Sequence, residues 1–385
     1  MKRKLKMGMI GGGKNAFIGA VHRIAANIDG LITLHCGAFS SNAETSKASG
    51  KDLFLPEDKC YSSYEEMIKT ESSFPVGERM DFVSIVTPNF AHFAPAMMAL
   101  NYGFNVLIDK PMTLTLEEAK KLQQKVIETG LILCLTHTYS GYPMVKQARK
   151  MVADQQFGKI RKVMVEYPQG WLSTLSEKDD NKQAAWRTDP AKSGISGCMG
   201  DIGTHAAQLA EYISGLKISK ICADINIVVE GRQLDDDGNV LLKFDNGANG
   251  ILVASQIAAG EENALKIKVY GEKGSLEWHQ MEPNTLLVKW LEAPTQIYRT
   301  GGSYLDQAAS FNTRTPGGHP EGYLEAFANL YKNFALTLSA KLEGREATAE
   351  MLDFPGADDG VRGMAFIENV IASGKSDQKW LDFKI

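Results

Sequence analysis

Apolar and amphipathic segments alternate along residues 1–136. Each short apolar run is followed by a segment with helical periodicity, and the runs that we interpret as strands occupy residues 5–10, 31–39, 81–88, 104–111 and 131–137, with a further brief strand around residues 60–61. The last helical segment begins at Thr115, and Glu118 follows it with the spacing of a capping box. Strands that alternate with helices predict βαβ units and a parallel, doubly wound sheet.

Beyond about residue 137 the pattern changes to one of hairpins. A helical segment at 143–155 leads into "KIRKVMVEY", and the later apolar runs are joined by tight turns. The turn Asp245-Asn246-Gly247 joins "NVLLKF" to "GILVASQIA", and Asn-Gly between two apolar runs is a strong hairpin signal. We therefore divide the chain into an α/β domain at 1–136 and an α+β domain with a mainly antiparallel open sheet at 137–385.

Length and composition are those of an ordinary globular protein. The 385 residues exceed the size at which a single core stops growing, roughly 250–300 residues, so two domains are expected. A net charge of −4 predicts no nucleic-acid or membrane partner. The basic start lacks the apolar stretch of a signal peptide, and no apolar window is long enough for a membrane span. Five scattered cysteines indicate reduced thiols, so we expect a cytoplasmic protein.

A glycine-rich loop connects the first predicted strand to the first predicted helix. Its glycines and Ala16 fit the G-x-G-x-x-A form of dinucleotide-binding loops, and Gly19 indicates a longer loop. Amides at a helix N-terminus can hold a pyrophosphate, and glycine permits its close approach. In this context the loop predicts a Rossmann domain that binds NAD or NADP. The candidate contacts are Gly11, Gly13, Lys14, Asn15, Ala16, Phe17 and Ile18.

The end of the second predicted strand leaves the choice between NAD and NADP open. Dinucleotide-binding folds usually carry Asp or Glu there, which binds the ribose 2′-hydroxyl. This chain has Ser40 and Ser41 instead, so a 2′-phosphate is not repelled, and both hydroxyls, with help from Lys47, could bind it. The alternative is that these serines only cap the next helix.

The stretch "GDIGTH" at 200–205 places Asp201 and His205 four residues apart at the start of a predicted helix. Residues with this spacing share a helix face, so the pair is either an acid–base unit or a cap followed by a packed histidine. Lys110 follows a strand, at the sheet edge where doubly wound folds bind ligands. The histidines lack metal-binding spacings, so no metal is predicted. We interpret the acidic run at 235–237 as a solvated turn.

Four motifs follow one another along the chain: "TPNFAH" at 87–92, "VLIDKP" at 106–111, "WRTDPAKSG" at 186–194 and "GDIGTH" at 200–205. This set resembles the Gfo/Idh/MocA family of oxidoreductases over nearly the whole chain. The resemblance implies that Lys110, Asp201 and His205 form the catalytic group beside a nicotinamide, and that the Lys110–Pro111 peptide is cis. It also implies cofactor contacts by Thr87, Pro88, Asn89, His92 and Asp109.

The resemblance implies an NAD(P)-dependent dehydrogenase that acts on a secondary alcohol of a sugar, anhydrosugar or cyclitol. In this reaction Lys110 binds the reacting hydroxyl, His205 takes its proton, and Asp201 orients the imidazole or binds another hydroxyl. Two alternatives remain: an NAD-dependent glycosidase that works through transient oxidation, and a ligand-sensing regulator without catalysis. The intact trio argues against the regulator.

Further expectations concern the substrate cleft and assembly. Both alternate faces of "GILVASQIA" are largely apolar, and a strand of this kind needs cover on both sides. The resemblance implies that a second subunit supplies one cover, in a homodimer or homotetramer. The candidate substrate contacts beside the trio are Tyr139, Tyr142, Trp186, Arg187 and His319, and for Trp186 a core position is an equally open alternative.

Overall fold

The structure is a computed structural model that describes residues 2–14, 16–179 and 181–385. These residues form two compact units. The first comprises the chain up to Thr138 together with Tyr323–Val361, and the second comprises Tyr139–Gly322 and Arg362–Ile385. The sequence division placed Tyr323–Val361 in the second domain, whereas the structure packs this segment with the first unit.

The first unit contains a five-stranded sheet with the strand order β2-β1-β3-β4-β5, in which every neighbouring pair is parallel. The doubly wound parallel fold is therefore confirmed. Thr115 caps α5, and its hydroxyl accepts a hydrogen bond from the Glu118 amide (3.2 Å). The strands are β1 (Leu5–Gly11), β2 (Ile32–Ala38), β3 (Phe82–Val86), β4 (Asn105–Ile108) and β5 (Leu133–Leu135), and the helices are α1 (Phe17–Ile28), α2 (Ala43–Asp52), α3 (Tyr64–Ser73), α4 (Phe93–Asn101) and α5 (Leu116–Thr129).

The second unit is built on a nine-stranded sheet with the order β13-β12-β11-β10-β6-β9-β8-β7-β14. Only the β6–β9 pair is parallel among the described pairs, so the expected mainly antiparallel sheet is confirmed. The predicted Asp245-Asn246-Gly247 turn joins β8 to β9, and Gly247 has a φ of 86°. The strands are β6 (Lys162–Pro168), β7 (Ile218–Asn226), β8 (Asp237–Phe244), β9 (Asn249–Ser255), β10 (Lys266–Tyr270), β11 (Gly274–His279), β12 (Thr285–Trp290), β13 (Gln296–Arg299) and β14 (Leu381–Asp382).

The helices after β5 include one segment with an irregular start. A π-helical turn at Met199–Gly203 runs directly into α9, and this turn contains Asp201. None of the helices in the described residues is long and apolar enough to cross a membrane. The helices are α6 (Pro143–Ala153), α7 (Lys182–Arg187), α8 (Pro190–Ser193), α9 (Thr204–Ser214), α10 (Gln307–Phe311), α11 (Tyr323–Leu342) and α12 (Ala357–Gly374).

Helix α11 completes the core of the first unit, although it lies far away in the sequence. Its buried side chains, including Phe327, Tyr331 and Phe334, pack with Met7 and Phe82 of the parallel sheet. An amphipathic pattern shows that a helix needs an apolar surface to cover, but the pattern carries no information about which sheet provides it. For this reason the sequence division assigned α11 to the wrong neighbour.

A buried carboxylate stabilises the edge of the first unit. Glu71 of α3 is fully buried, and its oxygens accept hydrogen bonds from Lys59 Nζ (2.8 Å), the Tyr61 hydroxyl (2.9 Å) and the Met80 amide (2.8 Å). Burial by itself raises the pKa of the Glu71 carboxyl. Its contacts with His35, Lys59, Met80 and Tyr61 outweigh burial and lower this pKa to about 2.

The lowered pKa of Glu71 predicts a pH-dependent contribution to stability. The contribution is complete above the pKa of an unfolded glutamate, about 4.5, and it is lost as pH falls from there through about 2. Glu71→Gln is expected to lower the free energy of unfolding by about 3 kcal/mol at pH 7 and to flatten the loss of stability between pH 4.5 and 2. Urea unfolding at several pH values measures both effects.

Glu117→Gln is the matched control, because Glu117 is exposed at the start of α5. It should leave the free energy of unfolding almost unchanged. Equal effects of the two variants at pH 7 would contradict the assignment.

Candidate active site

The glycine-rich loop packs so tightly on α1 that larger residues do not fit. Gly11 and Gly12 have φ values of 80° and 71°, which favour glycine. A Cβ on Gly19 would lie 2.3 Å from the Cα of Gly12, and a Cβ on Gly13 would lie 2.8 Å from the carbonyl oxygen of Phe39. The loop therefore leaves a cradle of backbone atoms at the start of α1, as the binding of a pyrophosphate requires.

Beside this cradle lies a cavity of about 400 Å³. Four predicted cofactor contacts line it, namely Gly13, Lys14, Ala16 and Phe17. Ala16 precedes α1 and provides no side-chain cap, so the first amides of the helix have no capping acceptor there. Asn15 lies outside the described residues. Three polar lining residues, Arg23, Ser49 and Asp52, could not be predicted from the sequence, because they lie within α1 and α2 and belong to no motif.

The two serines after β2 do not cap the next helix. Asn42 is the capping residue of α2, and its side chain accepts a hydrogen bond from the Thr45 amide (2.8 Å). The Ser40 hydroxyl accepts a hydrogen bond from the Asn42 amide (3.1 Å), and Ser41 is exposed. The capping alternative is therefore replaced by a turn-supporting role for Ser40, while Ser41 stays open to solvent at the strand end.

His92 lies between two loops of the first unit. Its side chain is 1% exposed, and its ring nitrogens lie 2.7 Å from the carbonyl oxygen of Thr87 and 2.8 Å from that of Pro111. Burial lowers the pKa of His92, against the opposing charge of Asp109 and the two carbonyl groups. A cofactor contact by His92 stays a prediction. In the structure the buried ring connects the loop at Thr87, Pro88 and Asn89 to Pro111 and thereby positions both loops.

Lys110 is placed by the carboxylate that precedes it. Asp109 follows β4, and its Oδ1 accepts hydrogen bonds from the Lys110 amide (2.9 Å) and the Thr136 hydroxyl (2.7 Å). Burial favours the neutral acid, but His22, Lys110 and Thr136 together hold the pKa of Asp109 well below its usual range. The Lys110–Pro111 peptide is cis, as the resemblance implied.

His137 is a further candidate active-site residue at the same sheet edge, although it belongs to no sequence motif. It follows β5 and is 1% exposed. Burial and the charge of Lys110 lower the pKa of His137 to about 3, so the imidazole is neutral at physiological pH. The sequence shows that His137 follows a predicted strand, but only the structure shows that it lies close enough to Lys110 for this charge to lower its pKa.

In the second unit, a buried aspartate anchors the π-helical turn. Asp235 is 5% exposed, and its carboxylate accepts hydrogen bonds from the amides of Gly197 and Met199, both at 2.7 Å. Burial raises the pKa of Asp235, although these hydrogen bonds oppose the shift. The neighbouring Asp236 is 1% exposed and pairs with Arg232 (3.1 Å). The prediction of a solvated turn at 235–237 was therefore wrong, because backbone amides and an arginine compensate the buried charges.

Asp201 lies in this turn, and two side chains contact its Oδ2. Its Oδ2 accepts a hydrogen bond from Gln256 Nε2 (2.9 Å) and lies 3.5 Å from Arg187 Nε. The guanidinium of Arg187 also lies 4.3 Å from the ring of Trp186, a cation–π distance. Helix α9 begins only at Thr204, so Asp201 does not occupy its cap position. Gln256 carried no sequence signal, since it follows β9 far from the motif.

His205 lies among aromatic side chains in the first turn of α9. It is 7% exposed, and its ring centroid is 4.9 Å from that of Tyr139 and 6.4 Å from that of Tyr167. The two tyrosine hydroxyls are hydrogen-bonded to each other, and Asn263 joins them through its amide. Burial raises the pKa of Tyr139, so its hydroxyl stays protonated. The imidazole of His205 thus lies beside two tyrosine rings whose hydroxyls are hydrogen-bonded to each other.

The remaining substrate candidates lie elsewhere in the second unit. Tyr142 is 2% exposed and packs against Trp278 with 5.3 Å between ring centroids, which is the environment of a core residue. His319 is exposed and lines a cavity of about 710 Å³ together with Arg299 and Glu321. The structure therefore groups Trp186, Arg187 and Asp201, and it groups Tyr139 with His205, but it gives Tyr142 and His319 other surroundings.

No group of acidic, histidine or cysteine side chains in the described parts of the chain has the arrangement of a metal site.

Comparison with known proteins defines the class. Residues 5–137 match the oxidoreductase family with an NAD-binding Rossmann fold, and residues 145–277 match the GFO/IDH/MocA C-terminal domain. The chain is 33% identical to the uncharacterized oxidoreductase YfiI of Bacillus subtilis, over 100% of this chain and 98% of that protein. It belongs to the Gfo/Idh/MocA family of NAD-binding oxidoreductases.

Two further relatives have more informative names. One is the inositol dehydrogenase homolog of Azotobacter vinelandii, whose crystal structure is complexed with NADH and myo-inositol; identity is 32%, the TM-score is 0.91, and 100% of this chain and 98% of that chain are covered. The other is levoglucosan dehydrogenase of Pseudarthrobacter phenanthrenivorans, with 25% identity over 78% of this chain and 79% of that protein.

The tight packing at Gly19 gives a prediction for cofactor binding. In Gly19→Ala the new Cβ meets backbone atoms of Gly12, so the loop or α1 must move. The dissociation constant for NADH, measured by its fluorescence on binding, is expected to rise at least about tenfold. Gly356→Ala is the control, because its nearest atom would lie 3.7 Å away. Unchanged NADH binding in Gly19→Ala would show that the cradle does not hold the cofactor.

Proposed function

We propose that the protein is an NAD-dependent dehydrogenase that interconverts a secondary alcohol of a cyclitol or sugar and the corresponding ketone. The observation that carries this proposal is the placement of Lys110 by Asp109 at the carboxyl end of β4. Doubly wound sheets bind their ligands at this edge. The names of the two relatives, an inositol dehydrogenase homolog and a levoglucosan dehydrogenase, support a polyhydroxylated substrate.

Two residues are proposed to carry the chemistry, Lys110 and His205. We assign Lys110 to the reacting hydroxyl, where its ammonium group donates a hydrogen bond and favours negative charge on oxygen. His205 accepts the hydroxyl proton as a general base. The bound nicotinamide supplies the acceptor for the hydride that leaves the carbinol carbon. Oxidation would thus remove a hydride, which is one proton with two electrons, from the carbinol carbon and one proton from the hydroxyl, and His205 takes this second proton.

Asp201 is proposed to bind or orient rather than to donate a proton. Arg187 and Gln256 both contact its Oδ2, so this oxygen acts as an acceptor within the protein. We assign the Asp201 carboxylate to a hydrogen bond with a substrate hydroxyl or with the imidazole. Trp186, stacked on Arg187, is proposed to provide an apolar surface for the C–H face of a ring substrate.

A substrate screen that follows the absorbance of the reduced cofactor, with NAD and NADP in parallel, tests the activity. Cyclitols, aldoses and anhydrosugars are the first compounds to include. Net accumulation of reduced cofactor supports the dehydrogenase. Release of an aglycone without such accumulation would establish the glycosidase alternative instead.

Substitution of Lys110 is expected to lower kcat without loss of cofactor binding. Lys110→Ala should lower kcat by about 10²–10⁴ because the charge at the reacting oxygen is lost. Its dissociation constant for NADH should stay within about threefold of wild type. Lys121→Ala, which removes an exposed lysine of α5, is the control and should keep full activity. More than a tenth of the wild-type kcat in Lys110→Ala would contradict the assigned role.

The pH profile separates His205 from Lys110. Because the base must be neutral to accept a proton, the logarithm of kcat/KM for alcohol oxidation should rise with a slope of about one and then level off. His205→Gln should lose this acidic limb, whereas His279→Gln, which alters a half-exposed histidine of β11, should keep it. An unchanged limb in His205→Gln would assign the histidine to packing and make Lys110 the better candidate for the base.

We also propose that a second copy of the chain covers one face of the nine-stranded sheet. On β9, Leu252 and Ala254 are fully buried, whereas Ile251 and Val253, on the opposite face, are half-buried. Leu241 on the neighbouring β8 is 44% exposed. Apolar side chains on this face favour association. Light scattering at micromolar concentration should give the mass of a dimer or tetramer, and a monomer would contradict the proposal.

A further inference from the structure

A row of buried polar side chains runs through the core of the first unit. The Ser84 hydroxyl of β3 lies 2.8 Å from the Tyr331 hydroxyl of α11, and this hydroxyl lies 2.7 Å from Nδ1 of His22 in α1. All three residues are at most 1% exposed. On the other side of the imidazole, Nε2 lies 3.9 Å from Oδ2 of Asp109. The row therefore connects three elements and ends at the residue before Lys110.

The last step of this row is between two atoms, Nε2 of His22 and Oδ2 of Asp109. Oδ1 of Asp109 already accepts hydrogen bonds from the Lys110 amide and the Thr136 hydroxyl. His22 Nε2 has no hydrogen-bond partner within the part of the chain that the structure describes. Oδ2 of Asp109 lies 3.9 Å from it, a distance that a small shift closes to a hydrogen bond.

A purely structural role explains this arrangement poorly. The imidazole of His22 packs edge-on against Phe327, with 4.6 Å between ring centroids, in a core of apolar side chains. An apolar residue there would avoid the cost of burying polar groups, which is roughly 1–3 kcal/mol for each unsatisfied one. The imidazole pairs with the Tyr331 hydroxyl on one side and faces Asp109 on the other.

We propose that His22 is a positioning residue for Lys110. Tyr331 fixes the imidazole, His22 faces one oxygen of Asp109, and the other oxygen then holds the amide of Lys110. His22 also lies one turn after Gly19 on α1, the helix whose start packs against the glycine loop. The placement of this one helix thus sets both the dinucleotide cradle and the lysine segment. The inference rests on the proposed function, in which Lys110 acts on the substrate.

Two substitutions at His22 separate its two contacts. His22→Asn keeps a group that can reach Tyr331 but removes the one that faces Asp109. His22→Gln carries its amide further out, toward the position of Nε2. We expect His22→Asn to lower kcat by about 10–100-fold with NADH binding within about threefold of wild type, because a small misplacement of a reacting group has effects of this size. His22→Gln should recover at least part of that loss.

Two further variants control for stability. Tyr331→Phe removes only the hydroxyl that fixes the imidazole and should also lower kcat, by less than His22→Asn. Phe327→Leu disturbs packing against the same imidazole without touching the polar row, so it should lower the melting temperature and leave kcat near wild type. Equal losses of kcat in Phe327→Leu and His22→Asn would overturn the proposal in favour of general packing.

A crystal structure of His22→Asn supplies a readout that needs no substrate. The proposal requires the Asp109 carboxylate to turn away from the Lys110 amide. Unchanged Asp109 contacts would overturn it, whatever happens to kcat, and so would a wild-type kcat with a displaced carboxylate. Full activity of Lys110→Ala would instead refute the proposed function while leaving the displacement of Asp109 as a separate observation.

Discussion

The segment after β4 depends on the ionised carboxylate of Asp109. This side chain is only 18% exposed, and a carboxylate in such a place must be compensated by hydrogen bonds or positive charge. The Thr136 hydroxyl and the Lys110 amide donate hydrogen bonds to the carboxylate, and the neighbouring His22 also lowers its pKa. Because each of these partners belongs to a different part of the chain, the charge fixes the relative positions of β4, β5 and α1.

The second unit uses carboxylates in two contrasting ways. Asp235 is buried with backbone amides as partners, and its raised pKa reflects the burial. Asp201 is less buried and is paired with Arg187 and Gln256. The first anchors the π-helical turn, and the second projects from it. Such turns occur often at functional sites, because they place a side chain where a regular helix would not.

The sequence predicted the parts of the protein that local patterns encode. The glycine loop, the Thr115 cap and the Asn-Gly hairpin each depend on neighbouring residues, and the structure has all three. It could not predict partners that meet through the fold. Tyr331 reaches His22 across 309 positions, and Gln256 reaches Asp201 across 55. The acidic run at 235–237 was misjudged for the same reason, since its compensating amides lie elsewhere in the chain.

The central claim is that hydride moves directly between a carbinol carbon of the substrate and the nicotinamide. The most direct measurement uses an accepted alcohol that carries deuterium at that carbon, with mass spectrometry of the cofactor after turnover. The account predicts one deuterium per molecule of NADH formed and a primary isotope effect on kcat/KM when chemistry limits the rate. NADH formed without deuterium, or substrate converted with no net NADH, would contradict it.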